Sequence, residues 1–185
     1  LALQGFIDPY NYRERYTMPK FVINSAGDQF FCSDSAQFYY GDLMGEKLLR
    51  YMPNTDHGLS GEVYGAVHLY YKSILEGYSR PQFSWRVEDG RMVVTKIAQS
   101  PEKVLLWRAD NAKARDFRMA VIGKAWKSTP LEMQPDNTWV AELTPPEKGF
   151  NAYFVELTYK SPMETPWVLS TEIVVRPDVL PFAEK

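Results

Sequence analysis

A single cysteine, Cys32, rules out any disulfide within the chain and leaves the compartment undecided on that count. No apolar run reaches the roughly 20 residues that a membrane-spanning helix needs, so no transmembrane segment is expected. Blocks of like charge are missing too: 21 basic and 23 acidic residues are interspersed to a net charge of −2. Nothing in that pattern could track phosphates or an anionic lipid surface, which excludes nucleic acid as a partner. With two histidines and one cysteine lying far apart and without ligand spacing, the chain offers no metal site and calls for no cofactor. Leu1-Ala2-Leu3-Gln4 has neither an initiator Met nor a basic stretch ahead of an apolar one. We therefore expect the chain to begin inside a longer gene product or after processing. Internal repeats and low-complexity tracts are absent.

What is present suits packed cores: 45% of the 185 residues are hydrophobic and 15% aromatic. Lys20-Phe21-Val22-Ile23-Asn24 is a short β-favouring run that stops at Ala26-Gly27-Asp28, as a buried strand does before a functional loop. Asp34-Ser35-Ala36-Gln37 has the spacing of a capping box and predicts a helix through Tyr40. A second strand is predicted over Lys47 to Met52, stopping at Pro53-Asn54. From about Gly61 to Glu76 a helix is expected, with Val63, Val67, Tyr70 and Ile74 on one core-facing stripe and Tyr64, Tyr71 and Leu75 beside it. Strand, helix, strand, helix in that order is the grammar of a parallel sheet covered by helices, with any site at the carboxyl ends of the strands.

The punctuation changes at Arg80-Pro81, which we take as a boundary between a domain over 1–80 and another over 81–185. Beyond it strands are predicted over 83–87, 91–97, 104–108, 117–121, 139–143, 152–159 and 168–175. That count, with turns marked by Glu88-Asp89-Gly90, Pro135-Asp136-Asn137 and Pro145 to Gly149, predicts an all-β, immunoglobulin-like sandwich.

Two residues carry the candidate chemistry. A carboxylate just after a parallel strand can hold an imidazole in one tautomer and stabilise its charged form, provided the histidine sits on a neighbouring loop. Asp28 and His57 meet that requirement, separated by one helix and one strand, the length of a crossover that brings both loops to the same edge. In α/β-hydrolases the triad runs Ser, then Asp or Glu, then His, and the last two agree with this order. Asp34 reads as a helix cap, Asp56 as a solvated loop residue beside the histidine, and His68 as a residue of the long helix outside the site. Cys32, four residues after Asp28, reads as a thiol near the pocket without being the nucleophile. No serine is framed as Gly-x-Ser-x-Gly: the Gly pairs at that spacing enclose Leu43 and Val63. Ser60 reads as the cap of the Gly61 helix. The nucleophile is therefore expected upstream of Leu1.

Several motifs together resemble the PhoPQ-activated pathogenicity-related protein family. They are Ile7 to Arg13, Met18-Pro19-Lys20, Gly27-Asp28-Gln29-Phe30-Phe31, Gly45-Glu46-Lys47, Asn54-Thr55-Asp56-His57, Leu106-Trp107, Asn111, Arg115-Asp116-Phe117-Arg118, and Thr171-Glu172 to Pro181-Phe182. That family is similar to α/β-hydrolases related to prolyl oligopeptidases, and includes relatives of a secreted autocrine proliferation repressor credited with dipeptidyl-peptidase-like activity. The resemblance implies an exported serine hydrolase acting on a peptide or ester, with Asp28 as triad acid and His57 as base. It also implies that this chain is the C-terminal part of an α/β-hydrolase fold, holding its last two parallel strands. The N-terminal hydrolase portion would then be supplied in the same or another chain. The alternative is a non-catalytic secreted or surface protein whose tryptophans, at 85, 107, 126, 139 and 167, form a binding platform, although about three of the five should be core.

Overall fold

The computed structural model describes residues 3–181, so Leu1, Ala2 and Phe182 lie outside the described residues. A short helix α1 (Gln4–Ile7) and a 3-10 turn (Pro9–Arg15) lead into β1 (Lys20–Ser25). A second 3-10 turn (Ser35–Phe38) precedes β2 (Lys47–Met52), which runs parallel to β1 from Lys20↔Lys47 to Ser25↔Met52. Helix α2 (Glu62–Glu76) follows and ends on Gly77, whose φ of 69° is the left-handed conformation that closes helices.

The remaining strands are β3 (Phe83–Glu88), β4 (Arg91–Lys96), β5 (Lys103–Asn111), β6 (Lys127–Pro130), β7 (Thr138–Glu142), β8 (Phe150–Tyr159), β9 (Trp167–Ser170) and β10 (Val174–Arg176), with a short α3 (Met119–Ile122) between β5 and β6. They form two antiparallel sheets. One runs β3-β4-β7; the other runs β10-β8-β5-β6, with β9 also on β8.

β8 explains how the layers meet. Its side chains alternate with period two, so Tyr153, Val155, Leu157 and Tyr159 enter one apolar core while Ala152 and Phe154 enter a second. A strand covered on both faces reads as a continuous buried run, as Asn151 to Val155 does. Leu48 and Leu69 join the first core, with Met92 and Val94 of β4 and Trp139 of β7. Leu49 and Tyr51 of β2 join the second. Each core draws residues from both sides of Pro81.

The α/β expectation is corrected by this arrangement. Of the ten strands among the described residues, eight lie in antiparallel sheets, and those residues contain neither the broad parallel sheet nor the covering helices of an α/β-hydrolase C-terminal part. The physical reason is where β2 packs. Its Leu48, Leu49 and Tyr51 bury against the antiparallel sheets, and the Tyr51 N–H donates to Ser170 Oγ of β9 at 2.8 Å. Instead of sitting inside a parallel sheet, the parallel pair is an annex to an antiparallel one.

Local expectations also shift. The buried residues of α2 are Ala66, Leu69 and Ser73, while Val67, Tyr64, Tyr71, Ile74 and Leu75 are exposed. The strand expected over 117–121 is instead the approach to α3 and most of that helix. The strand expected over 168–175 is broken: Ser170 pairs with Glu156 but Val174 pairs with Tyr153, so four steps on one side face three on the other, a β-bulge.

Candidate active site

Because β1 and β2 are parallel and in register, their carboxyl ends release two loops at the same edge. Small polar residues then lock the loops together. Ala26 N–H continues the ladder onto the Met52 carbonyl at 3.0 Å, and Ser25 Oγ donates to the Thr55 carbonyl (2.7 Å) while accepting from the Gly27 N–H (3.1 Å). Gly27 has to be glycine here. A Cβ would lie 2.6 Å from the Thr55 carbonyl oxygen and 3.0 Å from the Met119 backbone nitrogen. The histidine loop is pinned from its other side by Asn54, at φ 56°, whose amide exchanges two 3.0 Å hydrogen bonds with the Trp126 backbone. Asn tolerates that left-handed backbone better than most residues.

This frame brings Asp28 and His57 together, with Asp28 Oδ2 3.0 Å from His57 Nδ1. The acid side chain is 8% exposed and the imidazole 47%. Asp28 Oδ1 accepts the Phe30 N–H at 2.7 Å and the Phe31 N–H at 3.1 Å, so the carboxylate cannot swing away without losing two bonds. Burial opposes its charge, but the bond from Phe30, that from His57 and that from Phe31 together outweigh it, and the carboxyl is held below the ordinary aspartate range. The His57 N–H donates to Gln29 Oε1 at 3.2 Å. The rings of Phe30 and Phe31 flank the imidazole with centroids 4.8 and 5.7 Å away. With the carboxylate fixed on the Nδ1 side, the arrangement favours the Nδ1–H tautomer and leaves Nε2 a lone pair.

Other residues fall differently. Asp34 is no helix cap: it makes no side-chain cap bond to the Ser35–Phe38 turn. It is buried, accepting from Gln37 Nε2 (2.6 Å) and pairing with Arg115 (2.5 Å). Asp56 is exposed, and among the described residues its side chain accepts only the Gly58 N–H. Gly61, not Ser60, precedes the first turn of α2, and no side chain caps it. Cys32 is exposed at the same loop, and His68 is exposed on α2. Trp126, Trp139 and Trp167 are buried and Trp85 and Trp107 half-buried, so the tryptophans present no platform. Among the described residues no group of three or more His, Cys, Asp or Glu is placed to hold a metal ion.

Sequence reasoning missed the segment that braces the acid loop. Arg115 reaches Asp34 across 81 positions, and the Met119 N–H donates to the Gly27 carbonyl at 2.9 Å. That backbone bond holds the start of α3 (Met119–Ile122) against the acid loop where a strand was expected. Asn111 shapes the approach, its Oδ1 accepting from the Lys113 and Ala114 N–H groups and its Nδ2 donating to the Asp116 carbonyl at 2.7 Å.

Comparison with known proteins adds two matches. Residues 1–118 match the family model described as PhoPQ-activated pathogenicity-related protein, a span that includes Asp28, His57 and Arg115. The chain is also similar to autocrine proliferation repressor protein A of Dictyostelium discoideum, with 32% identity over 210 aligned residues. That match covers 98% of the chain and 42% of the relative, so the chain spans less than half of that protein's length.

Proposed function

This chain belongs to the PhoPQ-activated pathogenicity-related protein family, and from that premise we propose that Asp28 and His57 are the acid and base of an acyl-transfer site cleaving a peptide or ester bond. The observation that carries the reading is the 3.0 Å contact between a carboxylate locked by two backbone N–H groups and a half-exposed imidazole. The attacking serine comes from a part of the protein outside these 185 residues, in the same or another chain.

In this mechanism His57 Nε2 takes the proton from the serine hydroxyl as its oxygen bonds to the carbonyl carbon, and the carbonyl electron pair moves onto oxygen. The pair returns, the C–N or C–O bond to the leaving group breaks, and the leaving group takes the proton from Nε2. Water then repeats the sequence and releases the acid. Asp28 stays ionised throughout, which its depressed pKa supports, and keeps Nδ1–H directed at itself so that Nε2 faces the reaction. No helix among the described residues is long and apolar enough to cross a membrane. Family membership supports reading the protein as exported.

The test is labelling of the full gene product by a fluorophosphonate. The reading expects a serine adduct that His57→Ala abolishes and that Asp28→Asn slows by about 10³–10⁴-fold. Absence of labelling, or labelling indifferent to His57, would overturn it.

A further inference from the structure

We propose that the cleft between the Asp28 loop and the segment carrying Arg115 receives the substrate's apolar group, and that it selects an uncharged aromatic side chain or medium-length acyl chain next to the scissile carbonyl. This rests on the acyl-transfer reading above. Location comes first: Asp28 and Phe31 both line the cleft, and the Phe31 ring lies 5.7 Å from the imidazole. His57 does not itself line the cleft; a group seated there would lie against the Phe31 ring, which also packs on the imidazole. Size agrees, since about 880 Å³ falls in the range of small-molecule sites.

The walls are apolar, built from Phe30, Phe31, Phe150, Leu180 and Pro181. Phe30 and Phe31 are 71% and 64% exposed, a costly placement for two adjacent aromatic rings unless something covers them. Charge decides the ligand class. Of the six charged residues lining the cleft, four form two ion pairs, Asp34 with Arg115 and Asp116 with Arg118, and the Asp28 carboxylate is satisfied by hydrogen bonds from Phe30, Phe31 and His57. Only the Lys113 side chain at the rim has neither an ion pair nor a hydrogen bond among the described residues. A cationic ligand would have to break a pair and an anionic one would find only the exposed Lys113, whereas an uncharged apolar group meets a preformed wall. That wall is held in shape by the Arg115–Asp34 pair and by the Asn111 bonds to the 113–116 turn.

The experiment titrates the full gene product with two neutral probes, N-acetylphenylalanine amide and octanamide, with acetamide as the small polar control, and follows binding by ligand-observed NMR. Saturable binding of at least one large probe and none of acetamide is expected, and the tighter probe names the side-chain or acyl source. Phe31→Ala and Leu180→Asp should each weaken binding about tenfold. Both positions are largely exposed, so the variants retain the wild-type melting transition, which circular dichroism checks. Phe31→Leu should recover part of the loss. Failure of both large probes to saturate, or affinities indifferent to both variants, would overturn the proposal. Because binding is read without turnover, a protein that binds the probes yet never reacts with a fluorophosphonate would keep the cleft and lose the acyl-transfer reading.

Discussion

Replacing Arg115 by Met removes the brace that ties the 113–118 segment to the loop after Asp28. Its guanidinium nitrogen lies 2.5 Å from Asp34 Oδ2, and the two side chains are only 13% and 5% exposed. At that burial water screens little of the attraction, unlike at a surface pair. Removing one member of a buried pair costs about 3–5 kcal/mol, because the remaining charge is stranded. Two features reduce the figure here. Gln37 Nε2 still donates to Asp34 at 2.6 Å, and Met keeps most of the apolar stem. We therefore expect a loss of about 2–3 kcal/mol. Arg108–Asp110 provides the internal contrast: it has a similar 2.8 Å contact but is 49% and 59% exposed, so Arg108→Met should cost under about 0.5 kcal/mol. Urea unfolding followed by circular dichroism reads both as midpoint shifts at constant slope. Adding Asp34→Asn to Arg115→Met should restore about 1 kcal/mol or more by removing the stranded charge. An Arg115→Met shift no larger than that of Arg108→Met would refute the argument.

Three further outcomes follow from the same structure. Gly27→Ala should cost about 1–3 kcal/mol in the same assay, since its Cβ would press on the Thr55 carbonyl and on Met119; a neutral substitution would contradict that packing. Leu69→Ala should cost about 2–5 kcal/mol, whereas Val67→Ala, on the exposed side of α2, should stay within about 0.5 kcal/mol, and equal losses would mean the buried face is misassigned. Asp28 has a folded-state pKa below its ordinary 3.8, so its contribution to stability is present above about 3.8 and is lost as pH falls through the lower folded value. Asp28→Asn should therefore flatten the loss of stability below pH 3.8 in urea midpoints measured from pH 2 to 5, and superimposable acid limbs would contradict this.

How much of this was legible in the sequence varies by residue. Asp28 and His57 stood out because each follows a short β-favouring run, and parallel pairing carries both to one edge whatever the rest of the sheet does. The class of that sheet was not legible. Strand-helix-strand order is the same whether a parallel pair continues into a wide sheet or packs against an antiparallel one, and the Tyr51–Ser170 contact that decides it spans 119 positions. The face of α2 was misread because apolar residues surround the helix, so periodicity alone could not choose between the Val67 side and the Leu69 side. The bulge after Ser170 had a local signal in Ser170-Thr171. There the Val155 N–H bonds to Thr171 Oγ1 at 3.0 Å, a side chain standing in for a ladder carbonyl. Phe30 and Phe31 were visible as the neighbours of Asp28, but that their rings flank the imidazole depends on a fold of the loop that sequence does not specify.

The claim on which the rest depends is that Asp28 fixes His57 with Nδ1–H bonded to the carboxylate and Nε2 bare. Nitrogen-15 NMR of the imidazole at pH 8 measures this directly. The account predicts the Nδ1–H tautomer, with a deshielded Nδ1 proton that disappears in Asp28→Asn. A neutral His57 in the Nε2–H tautomer, or one whose spectrum is unchanged by Asp28→Asn, would contradict it.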